Sequence, residues 1–245
     1  MPTITGGADR ALANFPERVR MSDFQPLAQS CGIALPDVFV RLLADGKTRY
    51  GKDRADWQKE WRNYSLSAQP ALSCVYDLEW IDAQEAAEFV EQWLNPDYQN
   101  GRRFLPFAQS GAGDAYCLTP MADGQMGVAF IWHDQETSEV ENLSFAEFVY
   151  RLLVESARDV EHQLESDFDL SDARQCVIAN LRLFDGYLPE PLRTGLERVR
   201  VLIEQREADS PALISAEEAK VALAVLPASV VETVSITASW ECESS

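Results

Sequence analysis

The sequence is poor in the groups that most enzymes use near neutral pH. It holds two histidines, His133 and His162, among 245 residues. Cysteine is sparse and scattered: Cys31, Cys74, Cys117, Cys176 and Cys242 are odd in number, and no two are closer than 43 positions. That spacing excludes CxxC-type metal and redox motifs and argues against a disulfide framework. Positive charge is also short. Lys and Arg number 21 against 40 Asp and Glu, a formal net charge of −19. A field of that sign repels nucleic-acid phosphates and anionic membranes, and attracts cationic proteins most strongly at low salt. Apolar runs such as Val221 to Val231, interrupted by Pro227, fall far short of a bilayer span. The start, Met1 to Arg10, lacks the basic and apolar regions of a leader peptide, so the expected location is the cytoplasm.

With 46% hydrophobic residues and six tryptophans, the chain is rich enough to build a core rather than remain disordered. Residues 1–21 read as an N-terminal arm. Leu35 to Gly46 reads as a short helix, with Pro36 at its start, Val38, Phe39, Leu42 and Leu43 on one face, and Gly46 able to stop it. Residues 71–81 carry the apolar and aromatic content of a strand. Asp82 and Glu85 then form a capping box for a helix that Asn95-Pro96-Asp97 ends. Three strand-like runs follow, 104–108, 115–118 and 127–132, separated by Gly111-Ala112-Gly113-Asp114 and Asp123-Gly124 turns. A fourth lies around 140–143, and Ser144 with Glu147 reads as another capping box opening a helix. Beyond residue 156 the pattern is helical, at 172–184, 189–207 and 215–226, with a final strand over 230–240. The order fits α+β better than a βαβ repeat.

Few motifs carry chemistry. His162 sits among carboxylates on what reads as an exposed helix end, a poor match to the ligand set zinc prefers. Asp167 to Asp172 mimics the start of a calcium loop, yet lacks the glycine at its sixth position and has Ile178 at its twelfth. Ser110 to Asp114 is neither a nucleophile elbow nor a phosphate-cradling loop; it reads as a turn in which Asp114 bonds its own backbone. The basic stretch Lys47 to Arg62, interleaved with Trp57 and Trp61, reads as an amphipathic helix with the two tryptophans on its inner face. An interface there is the alternative. No catalytic set, metal site or cofactor is expected.

Four pieces resemble the SUKH superfamily, which includes bacterial toxin-immunity proteins and fungal Smi/Knr-type cell-wall regulators. They are Leu35-Pro36 with its helix and Asp45-Gly46; Phe104-Leu105-Pro106-Phe107-Ala108; Gly111-Ala112-Gly113-Asp114 leading into Tyr116-Cys117-Leu118; and Gly127 to Asp134 followed by Leu143 to Phe148. The resemblance covers about residues 22–155. Residues 156–245 match nothing in it and read as a mainly helical C-terminal extension. It implies an α+β fold with a central, mostly antiparallel sheet flanked by helices, and non-enzymatic protein binding.

On that view Asp114, Trp132, His133 and Asp134 form the partner-binding surface, the aromatic ring supplying apolar contact and the carboxylates pairing with Lys or Arg of a cationic toxin domain. The alternative is a housekeeping regulator or scaffold whose C-terminal helices bind a partner or form a homodimer.

Overall fold

The computed structural model describes residues 21–165, 167–207, 212–228 and 230–242. The arm expected over residues 1–21 lies outside them except for its last position. In chain order the helices are α1 (Met21–Cys31), α2 (Asp37–Ala44), α3 (Arg54–Ser65), α4 (Ala83–Phe89, extended by a π-helical turn Val90–Leu94), α5 (Phe145–Arg158), α6 (Glu161–Leu164), α7 (Leu170–Phe184), α8 (Glu190–Gln205), α9 (Ala216–Leu223) and α10 (Ser239–Cys242). The strands are β1 (Glu79–Trp80), β2 (Leu105–Gln109), β3 (Ala115–Pro120), β4 (Met126–Ile131), β5 (Thr137–Glu141) and β6 (Val231–Ser235). The fold is α+β, as its sequence pattern implies.

Two compact units are interleaved along the chain. The first comprises the described parts of residues 1–44, 77–145 and 229–245; the second comprises 45–76 and 146–228.

In the first unit the six strands form one antiparallel sheet in the order β1-β2-β3-β4-β5-β6. Strands β2 to β5 pair in succession because the turns between them are short and carry the chemistry a reversal needs, whereas β1 joins β2 across the α4 segment and β6 joins β5 only after the helices α5 to α9. Gly113 adopts φ +97°, a conformation that penalises any residue with a Cβ. Pro106 sits in β2 beyond the two residues that pair with β1, so its missing N–H costs no bond to that strand. The register shifts between Pro106 and Ala108, a bulge centred on Phe107.

Strand alternation sorts the side chains into two faces. On one face Ala115, Cys117, Ala129, Ile131, Val140, Val234 and Ile236 pack with Trp93, Leu94, Phe104, Met121 and Cys242 into the core. Gly127 falls on this face by alternation with Ala129 and Ile131, and it has no room for a side chain, since a Cβ there would lie 2.5 Å from the Glu141 carbonyl oxygen. The other face carries an aromatic cluster around the buried Phe39, whose ring centroid lies 5.2 Å from that of Phe24, 6.0 Å from Trp80 and Phe107, and 5.4 Å from Phe145.

Residues 71–78, expected as part of a strand, form irregular turns instead. Leu72 takes φ 64°, and its N–H donates to the side-chain oxygen of buried Asn180 at 2.8 Å. A long-range side-chain bond replaces the strand ladder, so local propensity is overridden.

The second unit is helical. Tyr150 on α5 is fully buried and donates to the Ala222 carbonyl at 2.8 Å; Gly195 on α8 allows this, since a Cβ there would lie 2.4 Å from the tyrosine oxygen. The basic stretch 47–62 is largely α3. Trp61 stacks on Phe168 (5.4 Å, 11°), Arg62 lies over the same ring and pairs with Asp172, and Trp57 packs on Tyr50 and Tyr64. The apparent calcium loop is the start of α7: Asp169 is the N-cap and Asp172 completes its capping box. His162 lies on α6 where Glu161, Leu164 and Glu165 are exposed, so the helix end is solvated as expected. Its ring is half-buried against Tyr76, with centroids 5.4 Å apart, and burial pushes its pKa below the ordinary value.

Candidate functional site

The turn between β2 and β3 and the residues that follow β4 meet at one corner of the sheet. Asp114 is the pivot. It is buried at 3% exposure, and its carboxylate accepts from the Ser110 hydroxyl at 2.8 Å, from the His133 backbone N–H at 3.1 Å and from the His133 ring Nδ1 at 2.7 Å. In return the Asp114 N–H donates to Ser110 Oγ at 3.1 Å. A carboxylate accepts and does not donate, so Nδ1 is the ring nitrogen that carries the proton, and Nε2 remains as the other contact atom. The expectation that Asp114 bonds its own turn is met through Ser110, and the link to His133 extends it across the sheet.

Register explains why these distant residues converge. Ala115 opposes Ile131 in the β3–β4 pair, so the residues just before β3 and just after β4 lie side by side. Asp134 comes within 4.8 Å of Asp114 and His133, counting one ligand-type atom from each. Of the described residues, this is the group of three close enough to share a cation. A cation would have to compete with three hydrogen bonds already made to Asp114.

Trp132 stands beside this corner at 41% exposure. Its ring meets Phe130 edge-on at 4.7 Å, Phe130 meets Tyr116 at 4.6 Å, and Tyr116 meets the buried Phe107 at 6.4 Å. A line of rings therefore runs from the core cluster to the surface and fixes the exposed tryptophan. Ser138 Oγ accepts from the Trp132 N–H at 3.4 Å, and His133 O accepts from the Ser239 N–H at 2.9 Å. The loop after β4 is thus held by β5 and by the start of α10.

All four sequence-selected residues, Asp114, Trp132, His133 and Asp134, come together here. Sequence reasoning missed Tyr116 and Phe130 as the support for Trp132, although the spacing Phe130-x-Trp132 signals one face of a strand. It also missed Glu139, exposed on β5 opposite Phe130, which with Asp134 gives this side of the sheet an acidic rim. Which face of β5 is open is a matter of packing.

The arrangement does not activate a nucleophile. Ser110 is buried and bonds the carboxylate, and the carboxylate bonds the imidazole, so the histidine is not between serine and acid as a general base must be. Cys117 on β3 is fully buried, and desolvation holds its thiol well above the ordinary range, away from the reactive thiolate.

Together these features define an α+β protein whose antiparallel meander carries an acidic corner with one anchored, exposed tryptophan. The sequence profile of the SMI1 / KNR4 family (SUKH-1) matches residues 19–151, more than half of the chain, and the protein belongs to that family. No curated protein and no solved structure gives a significant match. No helix among the described residues is long and apolar enough to cross a membrane.

Proposed function

We propose that the chain is a non-enzymatic protein-binding module that acts in the cytoplasm as an immunity protein, occluding a cationic bacterial toxin domain. The observation that carries this reading is the exposed Trp132, held by the ring series from the core and set beside Asp134 and the acidic rim. A rigid, half-exposed tryptophan loses little conformational entropy on binding, which is why such residues dominate interface energies. The surrounding carboxylates and the net charge of −19 favour Lys and Arg on the partner and speed encounter with it. Family membership supports a protein-interaction role of either the immunity or the regulatory kind.

The test is capture from native extract with wild type and with Trp132→Ala/Asp134→Lys, followed by coproduction with a toxin domain encoded beside the gene. A protein retained by wild type and lost by the double variant, together with restored growth on coproduction, supports the proposal. Undiminished capture by the double variant counts against the corner.

A second reading, a scaffold or regulator acting through its helical unit, draws on Val221 at 68% and Val225 at 45% exposure, one turn apart at the end of α9. A homodimer formed there would dissociate on Val221→Glu, which light scattering would detect.

A further inference from the structure

Among the described residues the sheet ends in β6, whose single strand neighbour is β5. The pairing pattern identifies which of its backbone groups face outward. The Ile236 N–H donates to the Glu136 carbonyl and the Asn142 N–H to the Val230 carbonyl, so the even-numbered residues of β6 make the ladder to β5. In an antiparallel pair the alternate residues point their N–H and C=O groups away from the neighbour, which assigns Val231, Thr233 and Ser235 to the outer edge. All three side chains are exposed, Val231 at 47%. β-Branched residues along such an edge favour addition of another strand, and nothing in this five-residue segment blocks it: there is no proline, and its one charge, Glu232, bonds Arg102 and the Ala122 N–H.

The face beside this edge is acidic and joins the site already described. One row of the sheet runs Tyr116, Phe130, Glu139, Thr233 by register, with Trp132 two residues beyond Phe130 on the same face. A residue of an added strand opposite Thr233 would stand two strand spacings, about 9.6 Å, from Glu139. The flexible stem of a lysine or arginine spans most of that gap. A second copy of the chain would instead bring another Glu139 row and a further 19 negative charges to the same edge.

We propose that β6 binds an extended, basic segment of the protein partner by strand addition: the main chain pairs with Val231, Thr233 and Ser235, and alternate Lys or Arg side chains lie toward Glu139. This rests on the proposed function in taking the partner to be a cationic protein, and it adds a docking mode.

The test uses the full chain and two synthetic peptides, acetyl-Lys-Val-Lys-Val-Lys-Val-Lys-amide and its Glu-for-Lys counterpart. Binding of the lysine peptide with slowed exchange of the Val231, Thr233 and Ser235 amides is expected; the glutamate peptide should not bind. Thr233→Pro removes one outward N–H and no ladder bond, and should weaken the lysine peptide by roughly tenfold. Glu139→Lys, an exposed substitution, should weaken it as well and provides an independent check on any loss of folding in the proline variant. Equal affinity for both peptides, or lysine-peptide binding indifferent to both variants, overturns the proposal. So does a wild-type dimer that Thr233→Pro converts to monomer, which would assign the edge to a second copy. The two proposals separate in native capture: loss with Trp132→Ala/Asp134→Lys but not with Thr233→Pro sinks strand addition and leaves the corner standing.

Discussion

Asp114 and His133 are joined twice, by the ring Nδ1 at 2.7 Å and by the backbone N–H at 3.1 Å, both to the same carboxylate oxygen. Two contacts from one residue to one atom fix the direction of the chain as it leaves β4, and with it the position of Trp132 and Asp134 on either side. The acid is itself buried at 3% exposure, with its carboxylate turned to Ser110 and His133.

Removing that carboxylate should therefore cost stability before it costs recognition. Asp114→Ala leaves the His133 N–H and the Ser110 hydroxyl without their acceptor in a buried setting, a loss of about 2 kcal/mol. Urea denaturation should show a lower midpoint, with Asp114→Asn between the two. An unchanged midpoint would mean that the corner is held by something else.

Trp132→Ala should cost both. The ring is 41% exposed and meets Phe130 edge-on, so truncation should lower the unfolding free energy by about 1 kcal/mol. Affinity of the folded variant for the captured partner should fall at least tenfold, about 1.4 kcal/mol. Undiminished affinity of the folded variant would mark the residue as packing alone.

Glu85 predicts a pH dependence. It accepts the Asp82 N–H at 2.8 Å in the cap of α4, and burial pushes its carboxyl from 4.5 up to about 7. The folded state thus holds the proton more tightly than the unfolded chain, and this contribution to stability is full below 4.5 and lost as pH rises through about 7. Glu85→Gln keeps an acceptor at the same cap position and should flatten the stability profile between roughly pH 5 and pH 8. At the alkaline end it should gain about 1 kcal/mol, once solvent screening of a half-buried group is allowed for. A variant whose profile parallels wild type would refute the assignment.

Gly127→Ala tests the packing of the sheet. The added Cβ would meet the Glu141 carbonyl at 2.5 Å and Val140 Cγ1 at 2.9 Å, and a backbone atom in the next strand cannot swing aside. A destabilisation of about 1–3 kcal/mol is expected, with lowered protection of the β4–β5 amides.

Arg62→Ala distinguishes core from interface in the basic stretch. Arg62 donates to the Asp167 carbonyl at 2.6 Å, pairs with Asp172 and lies 5.6 Å from the Phe168 ring centroid. Its loss should lower the thermal midpoint of the protein by a few degrees, equivalent to about 1 kcal/mol, and leave partner affinity unchanged.

Much of this protein is determined within short stretches of its sequence. The cap at Asp82 is legible because it needs only a side chain and the backbone three residues on. The strands at β2 to β4 and the turns between them were legible for the same reason: alternation and turn chemistry are local. The acid–tryptophan–histidine–acid set could be chosen from turn and strand-end positions, but its geometry could not. Asp114 and His133 meet because β3 and β4 pair in one register, and a slip of one residue would send every side chain to the other face. Likewise residues 71–78 have strand composition and no strand, because Asn180, more than a hundred positions away, takes the Leu72 N–H. The exposed helix end that carries His162 is legible in its charged sequence neighbours, but the contact that half-covers its ring comes from Tyr76, more than eighty positions away. Local chemistry specified the elements; the pairing of segments far apart in the chain decided what lies buried, what is exposed, and which side chains share the corner.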